Sequence, residues 1–130
     1  MRFMSIVIAK DFMQPAPELL EAIHKLADRE IKAGRMIDTA GLMPLATGAR
    51  VTIKDRKLSV VDGPFVEAKE VVGGYAIFEL QSKEEAVALA VEFMQLHKDL
   101  MPGWEGTCEV RAYFEPGAEN VCDPLAEARA

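Results

Sequence analysis

An α+β domain with the element order β-α-β, β-hairpin, β-α-β is what the sequence predicts, and three observations predict it. Residues 4–9 and 74–80 are near-continuous apolar runs, the pattern of central strands covered on both faces. Two stretches at helical spacing follow those runs. Between them an alternating segment, a turn and a return segment read as a hairpin.

Met4 to Ala9 is interrupted only by Ser5, and is taken as the first strand. Gln14-Pro15-Ala16-Pro17 breaks the chain, and Pro17 suits the first turn of a helix, where its missing N–H costs nothing. Leu19, Leu20, Ile23, Leu26, Ala27 and Ile31 then form one stripe, opposite Glu18, Glu21, Lys25, Asp28 and Lys32. Gly34 follows as the C-terminal stop.

Arg35 to Ala40 reads as a short strand. Ala49 to Lys54 alternates strictly, with Val51 and Ile53 on one side and Arg50, Thr52 and Lys54 on the other. Asp55-Arg56 is the turn, and the chain returns from Leu58 to Val61. After Gly74 to Leu80, Ser82-Lys83-Glu84-Glu85 has the form of a capping box. It opens a helix through Ala86, Leu89, Ala90, Phe93, Met94 and His97, which Pro102-Gly103 ends. Thr107 to Phe114 alternates again, putting Cys108, Val110, Ala112 and Phe114 on one face.

This is the ferredoxin-like βαββαβ pattern with a hairpin inserted in its middle. Two helices cover only one face of a four-stranded sheet, yet both central strands read as apolar on both faces. A second copy of the same sheet is the simplest cover, so the expectation is a homodimer.

The 130 residues make one domain, expected over 1–115 with a polar, Ala-rich C-terminal tail over 116–130. Fifteen Lys and Arg stand against 21 Asp and Glu, a net charge of −6. The bases are scattered among acids, which disfavours nucleic acid and an anionic membrane surface as partners. The opening apolar run is too short for a secretory or membrane-spanning segment, and the cytoplasm is the default expectation. Cys108 and Cys122 are too few and too far apart for a disulfide framework or a zinc site. No phosphate loop, nucleophile elbow, CxxC or HExxH occurs, so neither a metal nor a cofactor is expected.

Val61-Asp62-Gly63-Pro64-Phe65-Val66-Glu67-Ala68-Lys69-Glu70 followed by Gly73-Gly74-Tyr75 resembles the signature of the DGPF, or YCII-related, family. Gly41-Leu42, Gly48-Ala49-Arg50-Val51, Ser82-Lys83-Glu84-Glu85-Ala86 and Pro102-Gly103-Trp104-Glu105-Gly106 extend the resemblance in order along nearly the whole of 1–115. It implies a dimeric α+β barrel, two ferredoxin-like units facing each other across their sheets. Relatives proposed as enzymes carry a His and Asp pair on the first helix. Here His24 is displaced from the matching place by about a residue, and Lys32 stands where the acid is expected.

Candidate site residues follow from the chemistry their side chains support. Asp62 with Glu67 and Lys69 brings two acids and a base to one loop, an arrangement that moves a pKa toward neutrality for acid/base work. Asp62 equally suits a turn-capping role, hydrogen-bonding amides downstream, with Phe65 as an apolar anchor or a ligand contact. His97 lies on the buried face if the second helix reaches it, where an imidazole needs either partners or a pocket. His24, at the edge of the first stripe, reads as half-buried. Trp104 reads as a pocket wall or, more simply, as a contact to a sister subunit. Two functions from different classes remain open. One is a cofactor-independent enzyme acting on a small organic molecule by general acid/base chemistry in a dimer cavity. The other is a non-catalytic small-ligand-binding or regulatory module.

Overall fold

The computed structural model describes residues 1–10, 14–63 and 70–115. In chain order they form β1 (Arg2–Ala9), α1 (Pro17–Lys32), β2 (Met36–Gly41), a 3-10 turn (Leu45–Thr47), β3 (Ala49–Lys54), β4 (Lys57–Asp62), β5 (Val71–Glu79), α2 (Lys83–Leu100) and β6 (Gly106–Ala112). The main sheet is antiparallel in the order β2-β5-β1-β6, and β3 and β4 make a separate two-stranded ribbon. The two near-continuous apolar runs are the two central strands, as their composition requires. The fold is α+β, an antiparallel sheet with two helices.

Local chemistry sets the boundaries. Pro17 occupies the first turn of α1, and Gly34 beyond its end adopts φ +76°, a conformation that costs glycine nothing. At α2, the Glu85 amide donates to Ser82 Oγ at 3.2 Å while the Glu85 carboxylate accepts from the Gln81 amide at 3.3 Å. The capping motif thus ties both ends of the entry turn. In the ribbon, Asp55 and Arg56 both take positive φ, 51° and 66°, the two left-handed residues that a tight hairpin matching the strand twist requires.

Two expectations need correction. β6 stops at Ala112, because its partner β1 ends there: Phe3 opposes Ala112 and the Tyr113 amide donates to Arg2 O at the last bond. Phe114 therefore lies beyond the sheet and is exposed. On α1 the inner face is rotated from the stripe the apolar residues suggest. Leu19 and Glu30 are buried while Leu20 and Ile31 are exposed. The cause is Glu30, whose carboxylate Arg35 binds through two nitrogens, Nε to Oε1 at 2.8 Å and Nη2 to Oε2 at 2.7 Å. A satisfied carboxylate replaces an aliphatic side chain in the wall.

Strand pairing sorts the faces. Phe3, Ser5, Val7 and Ala9 of β1 share the helix-covered face with Phe78, Ala76 and Gly74 of β5 and with Ala112, Val110, Cys108 and Gly106 of β6. The packed core lies at one end of this face, where Phe3, Phe78, Leu80 and Ala86 meet Met36 and Leu89. Met4, Ile6 and Ile8 with Tyr75 and Ile77 form the opposite face, on which neither helix lies.

Candidate functional site

Along the helix-covered face of β5, side-chain volume falls from Phe78 through Ala76 to Gly74. Phe3 opposes Phe78, Ser5 opposes Ala76, and Val7 opposes Gly74. Glycine is required at position 74, since a Cβ there would come within 2.9 Å of Ala40 O. Small residues at the far end leave the helices standing off the sheet, over a cavity of about 520 Å³. Leu19, Ile23 and Ala27 of α1, Phe93 and His97 of α2, and Val7 and Cys108 of the sheet are among its walls. The volume lies within the range of small-molecule sites, as does the mainly apolar lining.

His97 is the polar group set most firmly into that wall. It is buried, at 7% exposure, and its Nδ1 lies 3.0 Å from Phe93 O one helical turn back. A carbonyl only accepts, so Nδ1 carries the proton and donates, which leaves the Nε2 lone pair free in the neutral ring. Nε2 has no hydrogen-bond partner among the described residues, and no side-chain nitrogen or oxygen is both buried and unpartnered. Nε2 is therefore not sealed off, and His97 is among the residues that line the cavity. Phe93 and Trp104 both contact the ring, each with its centroid 4.6 Å away, at 56° and 39°. Trp104 can take this place because residue 106 is glycine. A Cβ at Gly106 would overlap the indole ring.

Two other polar wall groups, Glu30 and Cys108, are committed. Glu30 accepts from Arg35 as above and from Arg29 Nε at 3.0 Å. Arg29 also binds Glu92 of α2 in bidentate fashion, at 2.6 and 2.8 Å. The two guanidiniums hold the Glu30 carboxyl below its ordinary range against the opposing effect of burial. This chain of four charges fastens α1 to α2 and to the start of β2. Burial pushes the Cys108 thiol up, only partly countered by a hydrogen bond with Ser5, so the sulfur stays protonated at neutral pH. Among the described residues, no group of three or more His, Cys, Asp or Glu is placed to hold a metal ion.

A family model for the YCII-related domain matches residues 1–93, from β1 well into α2. The chain belongs to the YCII-related family. No protein of curated function matches it. Most of the cavity wall of this YCII-related chain lies within the matched stretch, while His97, Trp104 and Cys108 follow it.

The residues singled out in the sequence are thus divided. His97 and Trp104 come together, in ring contact, in the cavity wall. His24 lines the rim and is exposed rather than half-buried, because the inward positions are Leu19, Ile23, Ala27 and Glu30, one helical step aside. Asp62 is exposed at the end of β4, outside the cavity walls, and its side chain has no hydrogen bond among the described residues. Phe65, Glu67 and Lys69 lie outside the described residues. Phe93, Cys108, Ser5 and Gly106 escaped the sequence reading. The Phe93–His97 spacing of four and the shrinking helix-side residues Phe78, Ala76 and Gly74 of β5 were the signals present.

Proposed function

We propose that this YCII-related chain takes up a compact, mainly apolar organic molecule in the helix–sheet cavity and moves a proton on it through His97 Nε2, without a cofactor. We place it in the cytoplasm as a homodimer, with the apolar sheet face that neither helix covers as the supporting observation for the second copy. Among the described residues, no helix is long and apolar enough to cross a membrane. The observation that carries the catalytic reading is the state of His97, a residue of the cavity wall: one nitrogen tied to Phe93 O, the ring in contact with two aromatics, and the other nitrogen without a hydrogen-bond partner among the described residues. A base is effective when it is oriented before the substrate arrives, and this one is. Asp62, outside the walls, has no part in that step.

Binding without turnover is a second reading, and a specific observation favours it. Glu30 is consumed by its arginines and the Cys108 thiol is held protonated. As further proton-transfer groups the described walls offer only His24 at the rim and the Tyr75 phenol, whose hydroxyl already donates to Asp38 Oδ2 at 3.0 Å.

One experiment separates the two. Trp104 is the only tryptophan of the chain, so its emission reports on the cavity directly. A panel of small phenols and carbonyl compounds is screened by that emission, and binders are then followed by NMR in deuterated water for exchange of acidic C–H bonds. Catalysis predicts exchange that falls by about 10²–10⁴-fold in His97→Gln while binding persists. Binding without exchange supports the second reading. A panel that leaves Trp104 emission unmoved sinks both.

A further inference from the structure

The β3–β4 ribbon stands apart from everything just described. All twelve of its strand residues are exposed, and its base is fixed by the Gly63 amide donating to Gly48 O at 2.8 Å. Register places Val51 opposite Val60 and Ile53 opposite Leu58, so these four side chains share one face. They are 66%, 69%, 72% and 72% exposed. The other face carries Arg50, Thr52 and Lys54 opposite Val61, Ser59 and Lys57. A lone two-stranded hairpin is marginal in water, and this one exposes its largest apolar residues.

We propose that the ribbon is an arm that lays its Val51–Ile53–Leu58–Val60 face on a second copy of the chain. The inference rests on the homodimer reading and adds the element that clasps it. Two arguments select a second copy as the occupant. The first is area. Four such side chains present on the order of 400 Å² of apolar surface, the size at which a patch marks an interaction site. Two arms and the surfaces that receive them bury roughly 1,600 Å² in all, the size of a standard stable interface. The second is charge. Residues 49–62 carry Arg50, Lys54, Arg56 and Lys57 against Asp55 and Asp62, a net of +2, on a chain whose net charge is −6. The rest of each copy is therefore at −8, and a cationic arm is attracted to the acidic body of its twin. The arm is rooted between β2 and β5, at the β2 edge of the main sheet. From there a ribbon of six-residue strands reaches about 20 Å.

The test is the dimer dissociation constant of the full chain, measured by light scattering and sedimentation across a dilution series from about 100 μM. The wild type is expected at twice the 14.3 kDa chain mass. Ile53→Thr with Leu58→Thr, which keeps strand propensity, should raise the constant by about 100-fold. Thr52→Ala with Ser59→Ala, on the other face, should change it by less than about twofold. Far-UV circular dichroism and thermal melts establish that both variants fold. An arm variant that dimerises as well as the wild type overturns the arm and leaves the homodimer reading standing. Equal weakening by both variants also overturns the apolar face as the contact. A wild type that is monomeric throughout removes the homodimer reading and the arm with it.

Discussion

The two ends of the helix–sheet interface are made from the same strands and differ in one respect, the volume they place between the layers. At one end Phe3, Phe78, Leu80 and Ala86 fill the space. At the other, Val7, Gly74, Cys108 and Gly106 leave it to a cavity edged by a fixed imidazole. The first end is built for stability, the second for access. Small residues along two adjacent strands therefore carry functional information that no single one of them shows.

Buried polar groups repeat the contrast. Glu30 has both oxygens engaged, and three hydrogen bonds from two arginines leave it nothing to offer a ligand. His97 has one nitrogen engaged and one open. Full satisfaction marks a structural group, partial satisfaction a site.

Breaking the filled end should have the largest effect. Phe3, at 1% exposure, is expected to cost about 3–5 kcal/mol as Phe3→Ala, read from the urea midpoint. Filling the hollow end sharpens the same comparison from the other side. Val7→Phe places a ring where the wall has room, and should change stability by less than about 1.5 kcal/mol. It should also abolish the response of Trp104 emission to any compound that moves it in the wild type. A loss of stability matching that of Phe3→Ala would show that the space is not available.

Glu30→Gln keeps the shape and removes the charge. Because both guanidiniums keep access to water, the expected cost at pH 7 is about 2 kcal/mol, below that of a wholly buried pair. The sign of its pH dependence follows from the depressed carboxyl. The stabilisation is fully present above the ordinary value of 4.5, and is lost as pH falls through the lower folded value. Urea midpoints from pH 7 down to pH 3 should converge for the wild type and Glu30→Gln. A difference that stays constant across that range would refute the charge as its source.

Asp62→Asn closes the series with the smallest effect. An exposed side chain with no hydrogen bond among the described residues predicts a change within about 0.5 kcal/mol. A melt displaced by more would restore the turn-capping role that Asp-Gly-Pro suggests in sequence.

Sequence by itself determined the elements, because each depends on neighbours along the chain. Apolar runs fixed the two central strands, Ser82 with Glu85 fixed the start of α2, and strict alternation from Ala49 to Lys54 fixed a strand of the ribbon. Helical spacing also put His97 on the buried face of α2. Tertiary structure decided what periodicity cannot encode. Glu30 turns inward only because Arg35, at the entry to β2, reaches back to it, and that rotates the inner face of α1 away from Ile31 and His24. Trp104 lies over His97 only because β6 begins with a glycine. The cavity exists because Val7, Gly74 and Cys108 lie together across three strands whose pairing order no local pattern specifies. Contacts between distant segments set the site, while short-range chemistry set the elements that carry it.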